Sequence, residues 1–390
     1  MLAAAALFPS CISSFASNKK DALKIGIIGT GDRGQGLSVK MQKFPKLQVH
    51  AICDVLPFRL EEAKKKNPDA LTYTNYKKLL ENKDLDAIIV ATPLSSHYQI
   101  ASDALDTGRH VYLEKTMVFH DHEVFKLIDK VKATGKVLQV GHQYRSTPLY
   151  FRVAEMIQSG DLGEILNIYI QWNRNGNWRR KVPDPAYERQ VNWRMYREYS
   201  GGLTAELLSH QLDFVNYIFD AHPLSVMGAG GIDYWEDGRE TFDNVNLLYE
   251  YPEGLKVNAI SMTSNAQDGY RIVFRGSKAT IEMSMEDAWL IPEGQKKKMT
   301  GNVDGVSGAT IKYAQQHGKP VLDPSTNPDW TNTDYALYAF YQSVMDNSLP
   351  YSNVYNGGVT ALCVRMGLDA MINNEKVRWK PEYKAVIQPS

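Results

Sequence analysis

Residues 23–36, LKIGIIGTGDRGQG, decide how the rest of the chain is read. Ile25, Ile27 and Ile28 mark a buried strand. It breaks into Gly29-Thr30-Gly31-Asp32-Arg33-Gly34, a G-x-G-x-x-G turn, and residues 35–44 continue as a short helix. The glycines have separate tasks. The first permits the tight turn, the second lets the backbone approach a pyrophosphate, and the third lets the helix pack closely on the strand. The helix N-terminus adds free N–H groups and the positive end of a dipole. A second apolar run, 47–53, ends at Asp54, about 20 residues beyond Gly34, where a carboxylate reaches the ribose hydroxyls of a bound adenosine. Gly29, Thr30, Gly31, Asp32, Arg33, Gly34 and Asp54 are therefore predicted to form a dinucleotide site. Asp54 repels a 2′-phosphate, so NAD is expected ahead of NADP, while Arg33 and Arg59 work the other way.

Strands and helices alternate from 23 to about 141. A charged helix is predicted over 57–67, a short strand over 72–74 and a helix over 76–81. Residues 86–91, DAIIVA, form an apolar strand of the kind buried on both faces of a parallel sheet. A helix over 96–107, a strand over 110–113, a helix over 121–134 and a strand over 136–140 follow. This is a doubly wound α/β pattern of Rossmann type over 22–143, with ligands expected at the carboxyl ends of the strands. After Gly141 the rhythm changes. A helix over 148–159 and a strand over 163–172 lead into a polar, aromatic loop, 173–200, too long for an idle connection. A helix over 201–219, several alternating strands from 224 to about 291, a loop over 294–329 and helices over 333–345 and 355–373 complete the second unit. That unit, 144–375, is expected to be an α+β domain. Its sheet is open and mostly antiparallel, with helices on one face and the other face free for assembly into a dimer or tetramer. Residues 376–390 read as a tail.

The length of 390 residues and a 43% hydrophobic share suit two such domains. Lys plus Arg and Asp plus Glu stand at 44 each, which argues against a nucleic-acid surface or a polybasic membrane patch. Of three cysteines, Cys53 falls in a strand and Cys363 in a helix, so no disulfide framework is expected. Residues 1–17, MLAAAALFPSCISSFAS, are apolar, small and uncharged, and Ser14-Phe15-Ala16 makes a small-x-small cleavage pattern. A positive n-region is missing. Phe8-Pro9-Ser10 before Cys11 match a lipobox poorly. Export to the periplasm is the expectation, and no later run is long enough to span a membrane.

Two stretches are able to carry chemistry. Glu114-Lys115-Thr116 ends the fifth parallel strand, where a lysine faces the cofactor crevice. There it can hydrogen-bond a substrate hydroxyl while a cationic nicotinamide lowers its pKa; an ordinary surface lysine fits the same position. The second is 201–213, GGLTAELLSHQLD. Glu206 and His210, four apart, share a helical face, and a carboxylate one turn from an imidazole orients it and supports its protonated form. Asp213 is placed to do the same. A buried helix with a satisfied histidine reads equally well. His97, His120, His122, His142 and His210 show no metal-ligand spacing, and no G-x-S-x-G elbow is present.

Four stretches together resemble the Gfo/Idh/MocA oxidoreductases: GTGDRG with Asp54, ATPLSSHYQIASDALDTGRHVYLEKT, VGHQYR, and GGLTAELLSHQLD. The resemblance runs over almost everything from Leu23 to Asn373. It implies that Lys115 is the lysine of the E-K-P signature and His210 the general acid/base. It implies too that Thr92, Pro93, His97, Glu114 and His142 line the nicotinamide crevice. Thr116 departs from the usual proline, and Glu206 stands where many members have aspartate. In the long loop Arg174, Trp178, Arg179, Trp193 and Arg194 combine flat apolar faces with planar donors, a mixture that suits a sugar, and Tyr144 and Asp213 join them as substrate candidates. The same residue types are enriched at oligomer interfaces.

The expected activity is NAD-dependent hydride transfer between nicotinamide and a sugar or glycoside hydroxyl, at C3 by analogy. His210 would take the proton and Lys115 would stabilise the alkoxide. In an exported protein the NAD would stay tightly bound and be recycled in place, and a companion lyase or hydrolase would cleave the keto-glycoside. An NAD-dependent glycosidase working by transient oxidation and elimination needs the same first residues. A non-catalytic NAD- or sugar-binding protein would not need Lys115 and His210.

Overall fold

β1 (Leu23–Ile28) buries every residue except the half-exposed Lys24, as a strand covered on both faces must. The computed structural model describes residues 21–294, 302–303, 306–307 and 318–387. The signal-like segment 1–17 lies outside them, as do residues 295–301, 304–305 and 308–317 of the expected loop.

β1, β2 (Leu47–Cys53), β3 (Leu71–Tyr73), β4 (Ala87–Val90), β5 (His110–Leu113) and β6 (Leu138–Val140) form one parallel sheet in the order β3-β2-β1-β4-β5-β6. The order reverses between β1 and β4, which opens a crevice at their carboxyl ends. Five helices alternate with these strands: α1 (Asp32–Met41), α2 (Pro57–Lys66), α3 (Tyr76–Leu80), α4 (His97–Asp106) and α5 (Asp121–Thr134).

After α6 (Pro148–Gln158) a nine-stranded sheet is built around β7 (Ile165–Trp172). It adds β8 (Ser225–Gly231), β9 (Asn244–Glu250), β10 (Lys256–Met262), β11 (Tyr270–Gly276), β12 (Ala279–Met283) and β13 (Ala288–Pro292). β14 (Asn302–Val303) and β15 (Val306–Ser307) pair with each other, and β16 (Lys319–Pro320) joins β13. Neighbouring strands run antiparallel except β7 and β10, which are parallel. The alternating burial along β10 shows one covered and one open face. The fold is therefore a Rossmann sheet followed by a mostly antiparallel sheet, as the pattern of the chain predicted.

Four features depart from that reading. The expected helix 201–219 divides into a π-helical turn, Thr204–Leu208, and α8 (Ser209–Phe219). Loop 173–200 carries short helical turns, among them α7 (Glu188–Val191). α9 (Asn332–Asp346), assigned by its position to the second domain, lies on the first sheet, with Ala336, Leu337 and Phe340 buried beside Ile25, Ile27 and Leu37. Phe340 meets Tyr112 of β5 edge-on at 5.7 Å. Only burial against that sheet decides this, because the helix's apolar stripe fits either domain. α10 (Val354–Asn373) packs on α8 and β8, and β17 (Val377–Arg378), within the expected tail, pairs with β8. Beyond it Lys380 and Tyr383 donate to Asp121 at the start of α5, at 3.1 and 2.8 Å. No described helix is long and apolar enough to cross a membrane.

Candidate active site

At the end of β1 the chain turns so tightly that side chains have no room. Gly29 has φ +91°, and a Cβ on it would sit 2.5 Å from the Ala91 carbonyl oxygen. A Cβ on Gly34 would come within 1.9 Å of the Gly29 carbonyl oxygen, so this glycine is what lets α1 close on β1. No side chain among the described residues caps the N-terminus of α1, where N–H groups suit an anion. Asp54, at the end of β2, accepts from the Thr30 N–H at 2.7 Å and hydroxyl at 3.1 Å, and from the Leu56 N–H at 2.9 Å. The turn thus positions the carboxylate.

The ends of β4 and β5 are tied together by His97. Its Nδ1 lies 2.9 Å from the Thr116 carbonyl and its Nε2 3.0 Å from the Thr92 carbonyl, and burial pushes its pKa down. Glu114 accepts from Arg33 Nε at 2.6 Å, and Arg33 Nη1 reaches the Thr333 hydroxyl at 3.2 Å. Lys115 donates to the Glu206 backbone carbonyl at 2.9 Å and lies 4.0 Å from that residue's carboxylate. The Lys115–Thr116 peptide bond is cis.

His210, on the first turn of α8, is 4% exposed. Its ring packs against Tyr144, Trp172 and His142, with centroids at 5.0, 5.5 and 5.6 Å. Its Nδ1 is buried without a hydrogen-bond partner among the described residues. Burial first, then the charge of Lys115, drives the imidazole pKa well below its ordinary value. Burial also lowers the Lys115 pKa, against the pull of Glu206 and Glu114.

One cavity of about 650 Å³ connects these groups. It runs from Gly29, Gly31 and Asp54, past Thr92, Pro93 and Glu114, to Lys115, Glu206 and His210, with Trp178, Trp193, Arg174 and Arg194 as its far wall. Its size and the steric demands of the turn fit a dinucleotide. The turn and α1 would hold the pyrophosphate, Asp54 the ribose, and the β4 and β5 ends the nicotinamide.

Six expected site residues do not line the cavity. Thr30 and Gly34 are buried beneath the turn, supporting it. Asp213 is taken by Arg145, with bonds of 2.9 and 3.1 Å, and by Thr360 at 3.2 Å. It therefore serves neither substrate nor His210. His142 is 1% exposed behind His210; its Nδ1 lies 3.4 Å from Asp213 without hydrogen-bond geometry, and burial pushes its pKa to about 4. Tyr144 stacks on Tyr150 at 5.1 Å and backs the His210 ring instead of facing a ligand. Arg179 pairs with Glu188 and Asp237, pinning the long loop to the segment after β8. Glu206 does line the cavity, but it does not orient His210. Its carboxylate accepts from Arg194 at 2.8 Å and faces Lys115. Burial works to raise its pKa, yet Arg194 and Lys115 together bring it below the ordinary value.

The long loop also brings residues into the wall that spacing does not single out. Arg180 crosses the cleft to pair with Asp32 beside the glycine turn, and Tyr199 and Trp172 also face the cavity. Trp172 is detectable as the last residue of a strand; the reach of Arg180 is not. Trp178 sits at φ +68°, uncommon for a bulky residue.

The family model described as an oxidoreductase family with an NAD-binding Rossmann fold matches residues 23–142, and the GFO/IDH/MocA C-terminal domain matches 150–282. The chain belongs to the Gfo/Idh/MocA oxidoreductase family. Its Rossmann half is therefore an NAD-binding domain, and the protein is an oxidoreductase by family. Oxidoreductase P35 of Formosa agariphila is 36% identical over 149 residues, 37% of this chain and 44% of that protein. Glycosyl hydrolase family 109 protein 1 of Bacteroides fragilis is 29% identical over 236 residues, 55% of this chain and 49% of that protein. The chain spans about half the length of these relatives. Among solved structures, levoglucosan dehydrogenase in complex with NADH and levoglucosan superposes with a TM-score of 0.72 over 92% of this chain and 99% of that one, at 17% identity. The aldose-aldose oxidoreductase of Caulobacter crescentus gives the same TM-score and identity over 92% of this chain and 100% of that one. At that identity the likeness is one of fold.

Proposed function

We propose that this protein is an NAD-dependent dehydrogenase of a sugar or glycoside. The observation that carries the reading is that Lys115 and His210, brought from opposite halves of the molecule, line one cavity continuous with the glycine turn. The levoglucosan dehydrogenase and aldose-aldose oxidoreductase folds support a carbohydrate substrate. Bound NAD supplies the hydride acceptor. His210, held neutral by burial and by the nearby ammonium, accepts the proton of the substrate hydroxyl. Lys115, protonated and steadied by Glu206, donates to the same oxygen as negative charge develops on it. Arg33 and Glu114 brace the strand end that carries Lys115.

C3 is the carbon proposed for oxidation. The enzyme works in the periplasm with its cofactor retained, assembles through the open face of the nine-stranded sheet, and passes a keto-glycoside to a lyase or hydrolase. The glycosyl hydrolase relatives favour a second reading, in which the keto intermediate eliminates its aglycone on the same protein.

The test begins with exhaustively dialysed protein, which should release NAD on denaturation. A glycoside panel is then assayed for products two mass units lighter. His210→Asn should reduce turnover by about 10²–10⁴-fold with the same NAD content. Aryl glycosides that release phenol with no net NADH select the glycosidase reading. Unchanged turnover in the variant, or protein without NAD that also fails to take it up, overturns the proposal.

A further inference from the structure

Among the described residues, four of the six guanidiniums lining the cleft have an acidic partner. Glu114 holds Arg33, Glu206 holds Arg194, Asp32 holds Arg180 and Glu198 holds Arg189. Two have no ion pair among the described residues. Arg59 stands over the glycine turn, where a Cβ on Gly31 would be 3.0 Å from its Nη1, and it has Asp54 and Asp32 as charged neighbours. With Arg180 and Arg194 also near, it is placed where a dinucleotide pyrophosphate would meet it.

Arg174 is at the other end, where a dinucleotide brings no phosphate. Its guanidinium carbon lies 5.5 Å from the ring centroid of Trp172 and 5.8 Å from that of Trp178. Two indoles thus hold an exposed cation in place at the edge of the cleft. Its side chain makes no hydrogen bond to a described residue; beside it lie the neutral Tyr144 phenol, whose pKa burial raises, and a second cation, Arg194. Arg174 is also among the cations that depress the His210 pKa, which places it within electrostatic reach of the reacting centre. Two neighbouring cations at one end of a cleft raise the local positive potential and favour an anion there. Neutral hydroxyls satisfy its donors but leave the charge uncompensated.

We propose that Arg174 receives an anionic substituent of the substrate, a carboxylate or a sulfate ester, so that the favoured substrate is an acidic sugar or glycoside. This rests on the dehydrogenase reading for turnover; the binding argument stands apart from it.

The holoprotein is tested with methyl glycosides in gluco, galacto and manno configuration, each as the neutral sugar, the uronide and the 6-sulfate. At least one anion should exceed its neutral parent about tenfold or more in kcat/KM and in calorimetric affinity, and the excess should shrink as salt rises. Preference for uronide or for sulfate identifies the group. Arg174→Gln should bring the ratio to within about twofold, chiefly through KM, and Arg174→Lys should restore part of it. Salt dependence in the unaltered protein decides the matter should the glutamine variant fail to fold. Equal or better use of the neutral parents, a ratio unmoved by Arg174→Gln, or no binding of any anion overturns the proposal. Oxidation of neutral glycosides without anion preference leaves the dehydrogenase reading standing. Arg174-dependent binding of anions without oxidation of any probe does the reverse.

Discussion

The nucleotide end of the cleft comes almost entirely from residues 29–59, while the substrate end draws Lys115, Trp172 with Arg174, Trp193 and His210 from four separate places in the chain. The first end is governed by backbone sterics. Gly29 and Gly34 are where they are because a Cβ has no room, and Asp54 is held by the turn it faces. The second end is governed by which distant side chain captures which charge. Glu206 goes to Arg194 and Lys115, Asp213 to Arg145, and Arg179 to Glu188 and Asp237. Motif spacing thus describes the first end well, whereas roles inferred from helical spacing at the second are reassigned by tertiary ion pairs.

The contrast predicts different kinds of damage. Asp213→Ala, if Asp213 is a buried counter-ion and not an orienter of His210, should lower unfolding free energy by about 3–5 kcal/mol, seen by denaturant titration. A stable variant with only a depressed kcat would break the comparison. At the nucleotide end, Gly34→Ala should cost about 1–3 kcal/mol or more and empty the protein of NAD. Gly36, two residues on in α1, has open space around it, and a methyl group there would meet nothing within 4 Å. Gly36→Ala should therefore be neutral or stabilising by up to about 1 kcal/mol. Thermal melting and NAD content read both.

The charge network at the substrate end sharpens the comparison through pH. Lys115 must be protonated to donate, and burial already lowers its pKa while the Glu206 carboxylate opposes the fall. Glu206→Gln removes that support, so the alkaline limb of the kcat/KM profile should move to lower pH. An unmoved limb would separate Glu206 from Lys115. The smallest effect is expected at the seam between the ends. Arg180 and Asp32 are largely exposed, so Arg180→Ala should change stability by only about 0–1 kcal/mol while quickening NADH release, measured by the fluorescence of the reduced nicotinamide.

Much of the fold is legible in the sequence because continuous apolar runs and period-two alternation report burial on two faces or on one. The parallel sheet and the open sheet follow from them. Position along the chain puts α9 in the wrong layer, because an amphipathic stripe names a buried face without naming its partner. The last strand is invisible because two residues are too few to show a period. At the site, motif and spacing single out Lys115 and His210, but not Arg180, nor the separation of Tyr144 and His142 from the cavity. Adjacent arginines such as Arg179 and Arg180 look alike in sequence and point to different partners in space.

By itself the sequence determined the glycine turn with its carboxylate and the succession of parallel and antiparallel strands. Each depends on contacts within one strand, one helix or one turn, where spacing along the chain is spacing in space. Only the tertiary structure decided that Lys115 and His210 share a cavity, that Glu206 faces the lysine, and that Arg174 lies between two indoles without an ion pair among the described residues. Those outcomes depend on long side chains meeting across elements far apart in sequence, where Coulomb attraction and burial choose partners that no local pattern records.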